Sequence, residues 1–124
     1  MATKFYKCNH CGNVIEKIID SKVPVFCCGE KMEELVPNTV EASGEKHIPV
    51  VTHLQDNILK IEVGSVHHPM LPEHHIAFIY VETEHGGIRI DLKDQPVAVV
   101  HLGKEKAVAV YEYCNLHGLW KVEL

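Results

Sequence analysis

A chain of 124 residues with a hydrophobic share of 46% has enough apolar material for one ordinary domain, or for a moderate domain and a very small one, and is not disordered. A net charge of -5 and the lack of any basic run exclude the electrostatic footprint of a nucleic-acid binder or of a polybasic membrane surface. Small molecules or other proteins are the partners to expect.

The first residues, Met1 to Cys8, contain no apolar stretch of the signal-peptide kind, and runs such as Ile76 to Val81 fall far short of a membrane span. A soluble cytoplasmic protein is expected. Five cysteines leave one unpaired in any internal disulfide scheme, and their clustering suits thiolates kept reduced for a metal.

Residues 1–36 hold four of the five cysteines, as a Cys-x-x-Cys at Cys8 and Cys11 and an adjacent pair at Cys27 and Cys28. Below about 40 residues a hydrophobic core rarely offsets conformational entropy, so a metal in four thiolates is the expected staple. Gly12 and Gly29 follow the two pairs and allow the backbone to curl toward sulfur. Two such pairs point to one tetrahedral site for iron or zinc, and spacing does not choose between them. A structural zinc knuckle is the ordinary alternative. Adjacent side chains diverge, so the backbone at Cys27 and Cys28 must bend for both sulfurs to reach one ion.

Pro37 to Gly44 has the turn-rich composition of a connection, and the second domain is placed at 37–124. Seven short β-branched segments follow: Ile48 to Leu54, Ile58 to Val63, Ile76 to Glu82, Gly87 to Leu92, Val97 to Leu102, Ala107 to Tyr113 and Leu119 to Leu124. Leu59, Ile61 and Val63 alternate with Lys60 and Glu62, and Ile88 and Ile90 with Arg89 and Asp91, so these strands bury one face. Turn signals at Asp56-Asn57, His85-Gly86-Gly87, Asp94-Gln95-Pro96 and Gly103-Lys104 space them as an antiparallel sandwich.

Most of the ten histidines fall at His47, in the stretch from His67 to His75, and at His117. Pro69 and Pro72 force the middle stretch into an extended or turning path, which suits a loop that projects ligands. Cys114-x-x-His117 adds a soft and a borderline ligand before the last strand, and such a set suits iron, copper or zinc. Spacing does not say which member of the doublets His67-His68 and His74-His75 binds. His10, His53, His85 and His101 are read as ordinary surface or core residues, and Glu45-Lys46, on spacing alone, as a solvated pair.

Taken together, the two cysteine pairs, Glu45-Lys46-His47-Ile48-Pro49, His68-Pro69-Met70, Glu73-His74 and Cys114-Asn115-Leu116-His117-Gly118-Leu119-Trp120 resemble desulfoferrodoxin, the two-iron class of superoxide reductase, across essentially the whole chain. The resemblance implies a mainly β protein: a desulforedoxin-like first domain with one iron in Cys8, Cys11, Cys27 and Cys28, then an immunoglobulin-like sandwich. It implies a second iron with His47, His68, His74 and His117 in a plane, Cys114 on one axis and the other axis open to substrate. It breaks the doublet ties, because the family's histidines precede Pro-Met in one case and an aromatic residue plus Ile in the other. His75 stands where a tyrosine is common, and His67 is an additional histidine.

The activity so implied is reduction of superoxide to hydrogen peroxide, with electrons resupplied by rubredoxin or a similar small redox protein, in a homodimer. Lys46 would counter the acidic field and organise proton delivery, and Glu45 would fill the open position in the resting ferric state. Gly44 would let that loop swing. A non-catalytic iron electron carrier, a superoxide dismutase and a zinc and blue-copper module are the rival readings.

Overall fold

The computed structural model describes residues 3–40 and 44–124, so residues 41–43 of the expected connection lie outside the described part. The chain divides into two compact units, Met1–Val36 and Pro37–Leu124.

In the first unit, β1 (Phe5–Lys7) pairs antiparallel with β2 (Val14–Glu16) and with β5 (Glu33–Leu35), giving a sheet of order β2-β1-β5. A small hairpin joins β3 (Phe26–Cys27) to β4 (Glu30–Lys31). These two- and three-residue strands were not anticipated from the sequence, because they are shorter than the window in which a period of two can be read. Among the described residues of this unit, Phe5, Cys8 and Met32 are the buried apolar ones, a core too small to hold 36 residues by itself.

The second unit contains the seven expected strands. β6 (Pro49–Leu54), β7 (Ile58–Val63) and β10 (Val97–His101) form a sheet of order β10-β7-β6. β8 (Ile76–Thr83), β9 (Gly86–Asp91), β11 (Ala107–Cys114) and β12 (Gly118–Glu123) form the other, of order β12-β11-β8-β9. All pairings are antiparallel.

The inward side chains of β7 (Leu59, Ile61, Val63) and β10 (Ala98, Val100) meet those of β8 (Ile79, Val81) and β11 (Val110, Cys114) in one core. This is the immunoglobulin-like sandwich of a mainly β protein. β8 and β11 are buried on both faces, since Phe78 stacks on Tyr113 and Tyr80 packs edge-on against Tyr111 on the outer side. The helical content of the described second unit is one turn, α1 (Gly44–His47), and a 3₁₀ turn at Gln55–Asn57. Among the described residues no helix is long and apolar enough to cross a membrane.

Candidate metal centres

Two hairpin turns bring the four N-terminal cysteines together. Cys8 directly follows β1, and the turn it opens is closed by Gly12 N–H donating to the Cys8 carbonyl at 2.9 Å, with Gly12 at φ 84°. Cys11 N–H points at Cys8 Sγ from 3.4 Å, and Asn13 Nδ2 donates to Cys27 Sγ at 3.5 Å. The bend needed at the adjacent pair comes from two left-handed residues in a row, Cys28 at φ 53° and Gly29 at φ 75°. Cys27 and Cys28 Sγ then lie 4.0 Å apart, and Cys11 and Cys27 Sγ 3.6 Å.

Chiefly the Cys11 amide pulls the Cys8 thiol down to about 6, whereas its crowded neighbours, Cys11 first, push the Cys28 thiol up to about 12. One negative charge is tolerated there and four are not, so a cation is what would let all four sulfurs ionise together.

At one end of the sandwich, His47, His68, His74, Cys114 and His117 each present a ligand atom, all within 4.8 Å of one another. His47 comes from the end of α1, His68 and His74 from the loop between β7 and β8, and Cys114 and His117 from the β11–β12 turn. The four imidazoles form a closed ring of edge-to-face neighbours, with centroid separations of 4.7 Å for His47 and His68, 4.5 Å for His68 and His74, 5.1 Å for His74 and His117, and 4.8 Å for His117 and His47. His47 Nε2 is 3.2 Å from His68 Nε2 and 3.1 Å from His117 Nδ1. Cys114 Sγ lies 3.4 Å from His68 Nε2 and 3.8 Å from His117 Nδ1.

His68 Nδ1–H donates to the Pro69 carbonyl at 2.7 Å, which leaves the lone pair on Nε2, facing the cluster. Burial holds His68 down to about 4 and also lowers His74, so desolvation works against the protonated form of both rings. His74 Nε2 is buried with no hydrogen-bond partner. Burial pushes the Cys114 thiol up, opposed by the Leu116 and His117 amides. Convergent lone pairs, an orphaned imidazole nitrogen and a buried thiol fit one soft or borderline cation, and a hard ion wants oxygen instead.

The other histidines of the doublets turn away. His67 is exposed and bonds Glu62 at 2.8 Å, while His75 Nδ1 donates to the Leu71 carbonyl at 3.0 Å. Glu45 and Lys46 are exposed on α1 beside buried His47, and the Lys46 charge reaches His74 as one of the smaller effects lowering it. His85, in the turn between β8 and β9, is exposed and paired with Glu105.

Three residues near the cluster escaped the sequence reading as separate contributors. Trp120 stacks on His47 at 4.9 Å and donates Nε1–H to the His117 carbonyl at 3.1 Å, so it supports two of the rings. Glu112, two residues before Cys114, is fully buried with both oxygens unpaired, and burial pushes its carboxyl up to about 9. Asn115 bonds the main chain on both sides of His74. Nothing in local composition marks a glutamate or an asparagine as buried or bridging.

The desulfoferrodoxin family model matches residues 39–123, the whole sandwich unit apart from its first and last residues. The chain belongs to the desulfoferrodoxin family. Within that family it is 42% identical over 120 residues to a desulfoferrodoxin of Syntrophotalea carbinolica, covering 95% of this chain and 94% of that one. Identity to a desulfoferrodoxin of Nitratidesulfovibrio vulgaris is 40% over 122 residues, covering 97% and 95%. The crystal structure of the superoxide reductase from Treponema pallidum superposes with a TM-score of 0.82 at 32% identity, covering 99% of this chain and all of that one. Desulfoferrodoxin membership implies iron, and the soft donor sets described above suit it.

Proposed function

We propose that this desulfoferrodoxin is a superoxide reductase, converting superoxide to hydrogen peroxide at the cluster of His47, His68, His74, His117 and Cys114. The observation that carries this reading is the closed ring of four imidazoles with a thiol sulfur against two of them. Bound ferrous iron supplies the one electron that, with two protons, turns superoxide into hydrogen peroxide. Everything else falls to the chain's own residues.

Neutral imidazoles keep the charge of the site low enough to admit an anion, and the Cys114 thiolate is a strong donor that favours release of product. The protein's net charge of -5 repels superoxide at long range, so Lys46, exposed beside His47, supplies the local attraction and orders water for proton delivery. Glu45, two residues before His47, is the carboxylate that would cap the centre in the resting state. Both residues are assigned catalytic roles, and the nine side chains of the two clusters are assigned as metal ligands.

The reading extends to two irons per chain, the first in a desulforedoxin-like domain of residues 1–36 with a mainly structural or auxiliary role, the second in a superoxide reductase domain of residues 37–124. A rubredoxin-like protein returns the electron. A homodimer is supported by the inverted surface of the first unit, where Ile18 is 83%, Ile19 88%, Val23 63% and Phe26 64% exposed. Reduced thiolates in both clusters suit a cytoplasmic location.

The test is to mix anaerobically reduced protein with a known dose of superoxide and count hydrogen peroxide and oxygen. One peroxide per superoxide with no oxygen, and turnover only with an external donor, is the expected result. Equal amounts of both products would make it a dismutase. Neither product above spontaneous decay would leave an electron carrier.

A further inference from the structure

The loop that delivers His74 has almost no ladder of its own. Between β7 and β8 the chain makes a tight turn in which Leu71 N–H donates to the His74 carbonyl at 2.9 Å and His74 N–H to the Leu71 carbonyl at 3.1 Å. That turn is closed on itself and does not fix where His74 sits relative to the rest of the cluster. The β8–β11 ladder cannot do so either, because its register slips at its end, from Tyr113 opposite Phe78 to Cys114 opposite Ile76.

Asn115 spans this gap. Its backbone N–H donates to the His75 carbonyl at 3.2 Å, its Oδ1 accepts the His75 N–H at 2.8 Å, and its Nδ2 donates to the Glu73 carbonyl at 3.0 Å. The two main-chain partners settle which end of the amide is which, since one donates and the other accepts. Both peptide groups flanking His74 are therefore bonded to the residue covalently next to Cys114. His74 is also the ring whose Nε2 has no partner of its own, whereas His68 is oriented by the Pro69 carbonyl and His47 by the Trp120 stack.

We propose that Asn115 is a positioning residue of the metal centre, whose side chain clamps the main chain on either side of His74 and so fixes that imidazole against Cys114. The clamp rests on the reading of these five residues as an iron site. It acts through the backbone, and a side chain one atom shorter or longer does not span both partners. Outer residues that orient a ligand typically alter metal affinity by about 10–100-fold when removed.

The experiment compares iron-loaded wild type with Asn115→Ala, Asn115→Asp and Asn38→Ala. Asn38 is the control, because its side chain also bonds a strand on both sides, at Lys121 N and Lys121 O, without touching a ligand. Expected for Asn115→Ala are release of the second iron to a chelator about tenfold faster or more, a displaced thiolate-to-iron band and ferric resonance, and faster exchange of the His75 amide hydrogen. Asn115→Asp retains the acceptor and loses the donor, so it should fall between, and it serves if the alanine variant does not fold. Wild-type release and an unmoved band in the Asn115 variants, or equal changes in Asn38→Ala, would overturn the clamp. So would a wild type that holds no iron at these residues. Wild type that holds iron with the thiolate band yet reduces no superoxide would sink the proposed activity and leave the clamp standing.

Discussion

A Cβ on Gly64 would lie 2.5 Å from the carbonyl oxygen of Glu45 and 2.6 Å from Cα of Lys46. Gly64, at φ 83°, is thus the floor on which the Glu45-Lys46 segment rests, and Val66 N–H at 3.1 Å and Ser65 Oγ at 3.3 Å hold the same Glu45 carbonyl in place. Gly64→Ala meets both the left-handed penalty of about 1–2 kcal/mol and a backbone clash. The expected outcome is a melting temperature lower by about 5–15 °C for a unit of this size, with Glu45 and Lys46 displaced. Calorimetry of the iron-loaded variant, alongside its superoxide rate, checks both parts.

Lys46 is an exposed cationic residue beside buried His47 in an acidic protein. Lys46→Ala should slow the reaction with superoxide by roughly tenfold and flatten its dependence on ionic strength, because steering by a local charge is what salt screens. Iron content should not change. Pulse radiolysis at several salt concentrations reads the effect, and an unaltered rate and salt slope would remove Lys46 from the mechanism.

Cys114 sits at 0% exposure with its sulfur against His68 and His117. Cys114→Ser is close in volume and should fold, while losing the thiolate-to-iron absorption and most peroxide release. Absorption spectra and product counts on the same sample decide it. Normal peroxide release would refute the role given to the sulfur.

Cys11→Ser removes one thiolate from a unit whose buried apolar residues, among those described, are Phe5, Cys8 and Met32. The first iron should be lost, and the unit with it, since metal binding there is folding free energy. Superoxide turnover by the second iron should persist if the first is structural or auxiliary. Loss of turnover with the second iron still loaded would assign the first a place on the electron path.

Glu105 supplies a pH signature that involves neither cluster. The Thr83 hydroxyl at 2.9 Å, then His85 at 3.2 Å, hold its carboxyl below the ordinary value of 4.5. A lowered carboxylate contributes stability that is present above the unfolded value of 4.5 and lost as pH falls through the folded one. Glu105→Gln should therefore melt earlier than wild type near neutrality, and the two curves should converge on acidification. Parallel curves would mean that the Thr83 and His85 bonds contribute nothing measurable.

The strands of the sandwich were legible in the sequence because alternation is local: Leu59, Ile61 and Val63 are buried, while Lys60 and Glu62 between them are not. The two cysteine pairs were legible for the same reason, since a Cys-x-x-Cys and its following glycine already describe a turn. The strands of the first unit were not, being two or three residues long and held by the hairpins around the cysteines.

Only the tertiary structure decided which side chains meet. His67 and His68 share one local composition, yet one is exposed against Glu62 and the other is 3% exposed against His47, 21 residues away. The same holds for Glu112, which no pattern separates from the chain's other glutamates until the sheets pack over the β11 face it shares with Val110. It holds again for Asn115, whose partners lie 40 and 42 residues away. Periodicity and turn chemistry depend on neighbours a few residues apart, so the sequence by itself determined strands, turns and the supply of ligands. Convergence of five donors from three loops depends on how two sheets pack, and that is set by the whole core at once.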